Sequence, residues 1–171
     1  MDLPTRKTTR LKDYDYSTPG AYFITFCTRG RKEILSRIVG TGVPDGPQNT
    51  QNILTDYGKI AEKHIIQMAT FYDNISIDNY VIMPNHIHLL LQIHYMDIKN
   101  GPPRTSVPTN SAISQFVSTL KRFCNKECGE NIWQSRSNDH IIRNEYDYKN
   151  IYEYIETNVI RWDKDCFYPQ K

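Results

Sequence analysis

Long apolar runs are missing from this sequence. The longest, Val81-Ile82-Met83 and Leu89-Leu90-Leu91, fall far short of the about 18 residues that a membrane-spanning helix needs, so no membrane partner is expected. No apolar stretch follows Arg6 and Lys7 at the start; without the core of a secretory signal, the expected location is the cytoplasm. Cysteine is scarce too. Cys27, Cys124, Cys128 and Cys166 form no CxxC pair, which in a reducing compartment reads as free, mostly buried thiols. Cys124 and Cys128 would share a helix face as half of a zinc site, yet no second Cys or His pair stands at finger spacing, and a zinc finger is set aside. Charge of one sign is lacking as well: 21 Lys and Arg against 19 Asp and Glu leave +2, too little by itself to prove a nucleic-acid partner. No repeat of helical or strand units is visible, which excludes solenoids and propellers.

What is present describes a globular chain. Its 171 residues are 39% hydrophobic and include 12 tyrosines, which fits one domain over residues 1–171 and argues against intrinsic disorder. A chain of this length buries roughly 70% of its unfolded surface and needs no disulfide or structural metal to fold. The basic residues are clustered, with Arg6, Lys7, Arg10 and Lys12 at the start, Arg29, Arg31 and Lys32 after the first strand candidate, and Lys121, Arg122 and Lys126 later. Such clusters suit phosphates met on one side, although solvated surface charge produces them equally well.

Residues 21–28 alternate, with Tyr22, Ile24 and Phe26 on one side and Phe23, Thr25 and Cys27 on the other, and read as a first strand. Thr55 or Asp56 is placed to cap a helix whose Ile60, Ala61, His64, Ile65 and Met68 recur at helical spacing. Residues 75–83 and 86–93 are strand-like runs joined by Pro84-Asn85, a dipeptide suited to a tight turn, so they should pair as a hairpin. A helix from about Ser111 to Gly129 carries the stripe Ile113, Phe116, Val117, Leu120 and Cys124, and its remaining face is expected to expose Lys121, Arg122 and Lys126. Short strands are expected at Ile132-Trp133-Gln134 and at residues 140–143; Asn144 then caps a last helix to about Thr157, with Tyr148, Ile151 and Ile155 as its core stripe. Two Gly/Pro-rich stretches, near 38–52 and 97–110, read as surface loops. The order β, α, β, β, α, β, α is α+β, and its first six elements match a ferredoxin-like split βαβ arrangement: a central antiparallel sheet with helices on one face, followed by an additional C-terminal helix.

Residues two apart on a strand project to one face, so His86 and His88 stand side by side while Ile87, Leu89, Leu91 and Ile93 point into the core. Beside a turn, such a pair is placed to hold a metal, although two half-exposed histidines without a role have the same spacing. His94 falls about 20 Å further along the strand, away from the pair. On the last helix Tyr154 and Asn158 are four apart and lie one above the other, displaced from the core stripe. A phenol attacks as phenolate, and its ordinary pKa is about 10; a neutral amide oxygen suits a hard divalent cation. Tyr146, Tyr148 and Tyr152 share this helix, so spacing leaves the choice of tyrosine open.

Residues 83–90 (Met83-Pro84-Asn85-His86-Ile87-His88-Leu89-Leu90), then Ile132-Trp133-Gln134, Asp139-His140-Ile141-Ile142-Arg143-Asn144-Glu145 and residues 148–158 together resemble the single-tyrosine HUH transposases, specifically the REP-associated tyrosine transposase branch. The opening Arg10-Leu11-Lys12-Asp13-Tyr14-Asp15-Tyr16 and residues 19–25 are similar to the start of bacterial members, and the likeness runs from about Arg10 to Asp165. The resemblance implies an HUH endonuclease fold with the nucleophile on the C-terminal helix. It implies His86 and His88 as two ligands of Mg²⁺ or Mn²⁺, Asn158 as the third ligand one helical turn after the nucleophile, and Tyr154 as that nucleophile. The family cuts single-stranded DNA by attack of the tyrosine on a phosphodiester, leaving a 5′-phosphotyrosine and a free 3′-OH. The implied partner is therefore single-stranded or hairpin DNA, with Arg29, Arg31, Lys32, Lys121, Arg122, Lys126 and Arg143 as its expected contacts. A homodimer, in which Tyr154 would meet the histidines of a second copy, stays open. Three features depart from the family: Ser137-Asn138 where relatives carry aromatics, Val159 in place of a proline, and the two Gly/Pro-rich insertions. Two rival readings remain, a hairpin-binding protein that does not cut and a metal-dependent hydrolase acting on a small substrate.

Overall fold

The structure, a computed structural model, describes residues 14–40, 50–95 and 111–169. The N-terminal basic cluster, the opening motif before Tyr14 and most of both Gly/Pro-rich stretches lie outside the described residues. Strand β1 (Gly20–Cys27) is followed by a 3-10 turn at Arg29–Arg31, strands β2 (Ser36–Val39) and β3 (Gln51–Leu54), helix α1 (Asp56–Phe71), strands β4 (Ile75–Ile82) and β5 (His86–Ile93), helix α2 (Ala112–Cys128), strand β6 (Asn138–Ile142) and helix α3 (Glu145–Thr157). The helix starts are those that the side chains specify. Thr55, Ser111 and Asn144 each accept a hydrogen bond from a first-turn amide, and Gly129 closes α2 at φ 74°, a conformation that favours glycine.

β4, β5, β1 and β6 form one sheet in that order, with every neighbouring pair antiparallel. Setting β2 and β3 aside, this is the 4-1-3-2 order of a ferredoxin-like fold, with the sequence-adjacent β4 and β5 as a hairpin. Its turn is Pro84-Asn85, closed by the Met83 amide donating to the His86 carbonyl at 2.9 Å. The alternation of β1 and β5 divides the sheet into two faces. Tyr22, Ile24, Phe26, Ile87, Leu89, Leu91 and Ile93 pack with the stripes of α1 and α2. Phe23, Leu90, Val81 and Met83 pack on the opposite face with Ile155, Ile151 and Tyr148 of α3 and with Trp162 of the segment that follows. The sheet is thus covered on both sides, and a polar group on the α3 side has little water to turn to.

Two expectations are corrected. The stretch near 38–52 is not wholly loop, because β2 and β3 pair in a separate two-stranded sheet. Four-residue strands beside glycine and proline are too short to display a period. Ile132-Trp133-Gln134 is not a strand; Trp133 makes a single bridge to Thr28. Gly58 is required by proximity, since a Cβ there would lie 2.0 Å from the Leu35 carbonyl oxygen.

Candidate active site

β5 and β1 carry the centre of the site. His86 and His88 are 0% and 2% exposed, more buried than the half-exposed pair that spacing alone allows. They stand opposite Cys27 and Thr25 in the β1 register. Each imidazole is fixed through Nδ1, His86 by the Asn85 side-chain oxygen at 2.8 Å and His88 by Thr25 Oγ1 at 2.7 Å. These bonds leave the two Nε2 atoms facing each other at 2.9 Å. Burial pushes the His86 pKa down to about 4, against a raising effect of Asp165, and pushes that of His88 well below its ordinary value. Both rings are therefore neutral near pH 7, and their Nε2 lone pairs converge on one point.

α3 lies across this face and brings Tyr154 and Asn158 to it. Tyr154 Oη is 3.3 Å from His88 Nε2 and donates to Asp165 Oδ2 at 3.0 Å, so the tyrosine meets histidines of its own chain. Asn158, 2% exposed, donates through Nδ2 to the same carboxylate oxygen at 3.0 Å, while its Oδ1 is buried without a hydrogen-bond partner. Burial, then the Asp165 charge, raises the Tyr154 pKa, and the phenol is protonated at neutral pH. The other tyrosines of α3 stand elsewhere. Tyr146 and Tyr152 are exposed, and Tyr148 donates to Asp78 at 2.9 Å.

Asp165 is the residue that sequence reasoning missed. It follows the 3-10 turn Trp162–Lys164, and its carboxylate closes a His86, His88 and Asp165 group whose ligand atoms all lie within 4.8 Å of one another. Next to it the Phe167 ring packs at a tilt against His86 with centroids 4.5 Å apart, and Asn85 Nδ2 donates to the Phe167 carbonyl at 2.8 Å. No periodicity marks this segment. Thr25 was missed too, although a signal for it existed: it shares the Phe23 and Cys27 side of β1 and faces His88 once β1 and β5 pair. Two neutral imidazole nitrogens, an orphaned amide oxygen and a carboxylate are a donor set that fits Mg²⁺ or Mn²⁺.

The basic residues divide. Arg31 lies on the rim of the site, its guanidinium 5.2 Å above the Phe167 ring, and Arg29 and Lys32 are exposed beside it in sequence. Arg143 is exposed after β6, bordering a recess with Tyr16, His140 and Asp147. Arg122 and Lys126 are exposed on α2, which covers the face of the sheet away from the histidines. Lys121 does not share their exposure and its expected placement is corrected. It is 9% exposed, donates to the carbonyls of Gln134 and Arg136 at 2.9 and 3.2 Å, and lies 5.3 Å from the Phe26 ring centroid. Four residues from Val117 and three from Cys124, it falls on the buried stripe despite its charge. Lys121→Met is expected to cost about 1–3 kcal/mol, because two carbonyls lose their donor. Burial lowers the Lys121 pKa to about 8, below the unfolded value of about 10.4. Between these values the unfolded chain binds more protons, so wild-type stability gains with rising pH. Denaturant titrations at pH 7 and 10 should show the penalty of Lys121→Met growing at the higher pH.

An antiparallel ferredoxin-like sheet with paired histidines on a central strand, and a tyrosine brought to them by the helix behind, defines an HUH endonuclease type of fold. No family model matches the chain. It is 32% identical over 177 residues to an uncharacterized protein of Haemophilus influenzae, covering 95% of this chain and 93% of that one. A second Haemophilus influenzae protein, assigned as a REP-associated tyrosine transposase, is 27% identical over 158 residues, covering 86% of this chain and 74% of the relative. Among solved structures, a REP-associated tyrosine transposase bound to a REP hairpin superposes with a TM-score of 0.59 at 20% identity, over 91% of this chain and 74% of that one. The chain is thus similar in sequence and in fold to REP-associated tyrosine transposases. Among the described residues no helix is long and apolar enough to cross a membrane.

Proposed function

We propose that this chain is a metal-dependent transposase that binds hairpin DNA, nicks the adjoining single strand and rejoins ends through a 5′-phosphotyrosine. The observation that carries the reading is the Tyr154 hydroxyl 3.3 Å from His88 Nε2, which itself stands 2.9 Å from His86 Nε2. His86, His88 and Asn158 would hold the cation, which when bound would supply positive charge to the scissile phosphate and to the oxygens on which negative charge grows. Thr25 and Asn85 keep the two rings in the tautomer whose Nε2 is free to ligate. Tyr154 Oη bonds to phosphorus and loses its proton to solvent; the P–O3′ bond breaks, and the departing oxygen takes up a proton as the 3′-OH. The phosphodiester energy is kept in the tyrosyl link, which a 3′-OH can attack in the reverse sense to rejoin strands. Arg31 faces the approaching phosphates, with Arg29 and Lys32 beside it, and Arg143 offers a further phosphate contact for the hairpin; Arg122 and Lys126, across the sheet, could meet only DNA that wraps to the other face. In this reading Tyr154 acts beside the histidines of its own chain.

End-labelled hairpin DNA with a single-stranded flank, incubated with the protein and Mg²⁺ or Mn²⁺, should yield a fragment ending in 3′-OH and a second fragment whose 5′ end is blocked to kinase. EDTA should abolish both. Free 5′-phosphate ends would identify a hydrolase, and tight binding without any product would identify a binder.

A further inference from the structure

We infer that Asp165 is a fourth protein ligand of the divalent cation, supplied by the segment after α3. The inference rests on the metal-dependent reading of the same site and names a residue that neither the His-x-His motif nor the tyrosine helix contains. Asp165 Oδ2 stands 4.0 Å from His86 Nε2, and the two histidine nitrogens stand 2.9 Å apart. The ligand atoms of His86, His88 and Asp165 all lie within 4.8 Å of one another, close enough for all three to reach one divalent cation.

Charge argues the same way. The Asp165 side chain is 1% exposed, and a buried carboxylate is costly without a compensating cation. The groups that reach it are neutral: the Tyr154 hydroxyl and Asn158 Nδ2 donate to Oδ2, and the Phe167 amide donates to Oδ1. Its one ion-pair partner among the described residues is His86, at 4.0 Å. A divalent cation beside it resolves the imbalance. A hard anionic oxygen, added to two imidazole nitrogens and an amide oxygen, also moves the preference of the site from Zn²⁺ toward Mn²⁺ and Mg²⁺.

Calorimetric titration of the full chain without DNA, using MnCl₂ and ZnCl₂ separately, tests this on wild type, Asp165→Asn and His86→Ala. Asp165→Asn should weaken Mn²⁺ at least about 10-fold and Zn²⁺ by less. Unchanged Mn²⁺ affinity, or equal losses for the two metals, would overturn the inference, the latter pointing to a purely structural aspartate. His86→Ala separates this from the parent reading: if it binds Mn²⁺ as wild type does, the metal centre itself is wrong and Asp165 falls with it. Should Asp165→Asn fail to fold, wild-type protein decides by NMR. Mg²⁺ must then move the Asp165 carboxyl-carbon resonance in step with the His86 and His88 ring nitrogens, and a carboxyl resonance that stays in place would overturn the ligand assignment.

Discussion

Tyr154→Phe is expected to abolish covalent attachment to DNA while leaving the fold and hairpin affinity nearly intact. The substitution removes one oxygen, and a phenyl ring cannot attack phosphorus. Its structural cost is the hydrogen bond to Asp165 at 3.0 Å, worth about 1 kcal/mol, while the edge-on packing of the ring against Phe23 and His88 is kept. Tyr146→Phe, Tyr148→Phe and Tyr152→Phe should form adduct at close to the wild-type level, since none of these hydroxyls reaches a histidine of the pair. The four variants, incubated with labelled hairpin DNA and Mn²⁺ and run on a denaturing gel, check this directly. An adduct that persists in Tyr154→Phe and vanishes in another variant would move the nucleophile. Loss of hairpin binding in Tyr154→Phe would instead make the ring a stacking or structural element.

The second large effect is expected at the metal. His86→Ala should reduce divalent-dependent cleavage by at least about 100-fold, the upper end of what residues behind a metal ligand typically cost. Hairpin binding should survive, because the basic residues at the surface are untouched. Some stability will be lost as well: His86 is fully buried, packs against Phe167 and holds the Asn85 side chain, so its truncation leaves an unpaired acceptor worth about 1–3 kcal/mol. Cleavage rates should therefore be measured below the melting temperature of the variant, beside its Mn²⁺ affinity. A wild-type rate in Mg²⁺ or Mn²⁺ would remove His86 from the metal site.

The parts of this molecule that sequence reasoning reaches are those where local pattern and tertiary role agree. The alternation of β5 separates His86 and His88 from Ile87, Leu89 and Leu91, and the structure places these sets on opposite faces of the sheet. Pro84-Asn85 signals the turn that joins β4 and β5, and Thr55 and Asn144 signal the starts of α1 and α3. The order of the strands needs more than pattern, since it depends on α1 and α2 crossing the same face; there the ferredoxin-like match supplied it.

What stayed hidden has physical reasons. Lys121 lies on the apolar stripe of α2 by spacing, but a lysine is normally read as solvated, and only the Gln134 and Arg136 carbonyls that receive its ammonium explain its burial. Asp165 sits outside any helix or strand, so no period ties it to the histidines; its place depends on Trp162 and Phe167 packing against His86. β2 and β3 were concealed by their length. In each case the missing information is a tertiary contact that competes with the local rule.

The most direct test of the account is to identify the atom that carries the DNA. The protein is incubated with hairpin DNA bearing a single-stranded flank and Mn²⁺, the nucleic acid is trimmed with nuclease, and tryptic peptides are sequenced by mass spectrometry. The account predicts a nucleotide linked through its 5′-phosphate to Tyr154 and absent when EDTA is present. Cleaved DNA with no modified peptide, or a nucleotide on any other side chain, would contradict it.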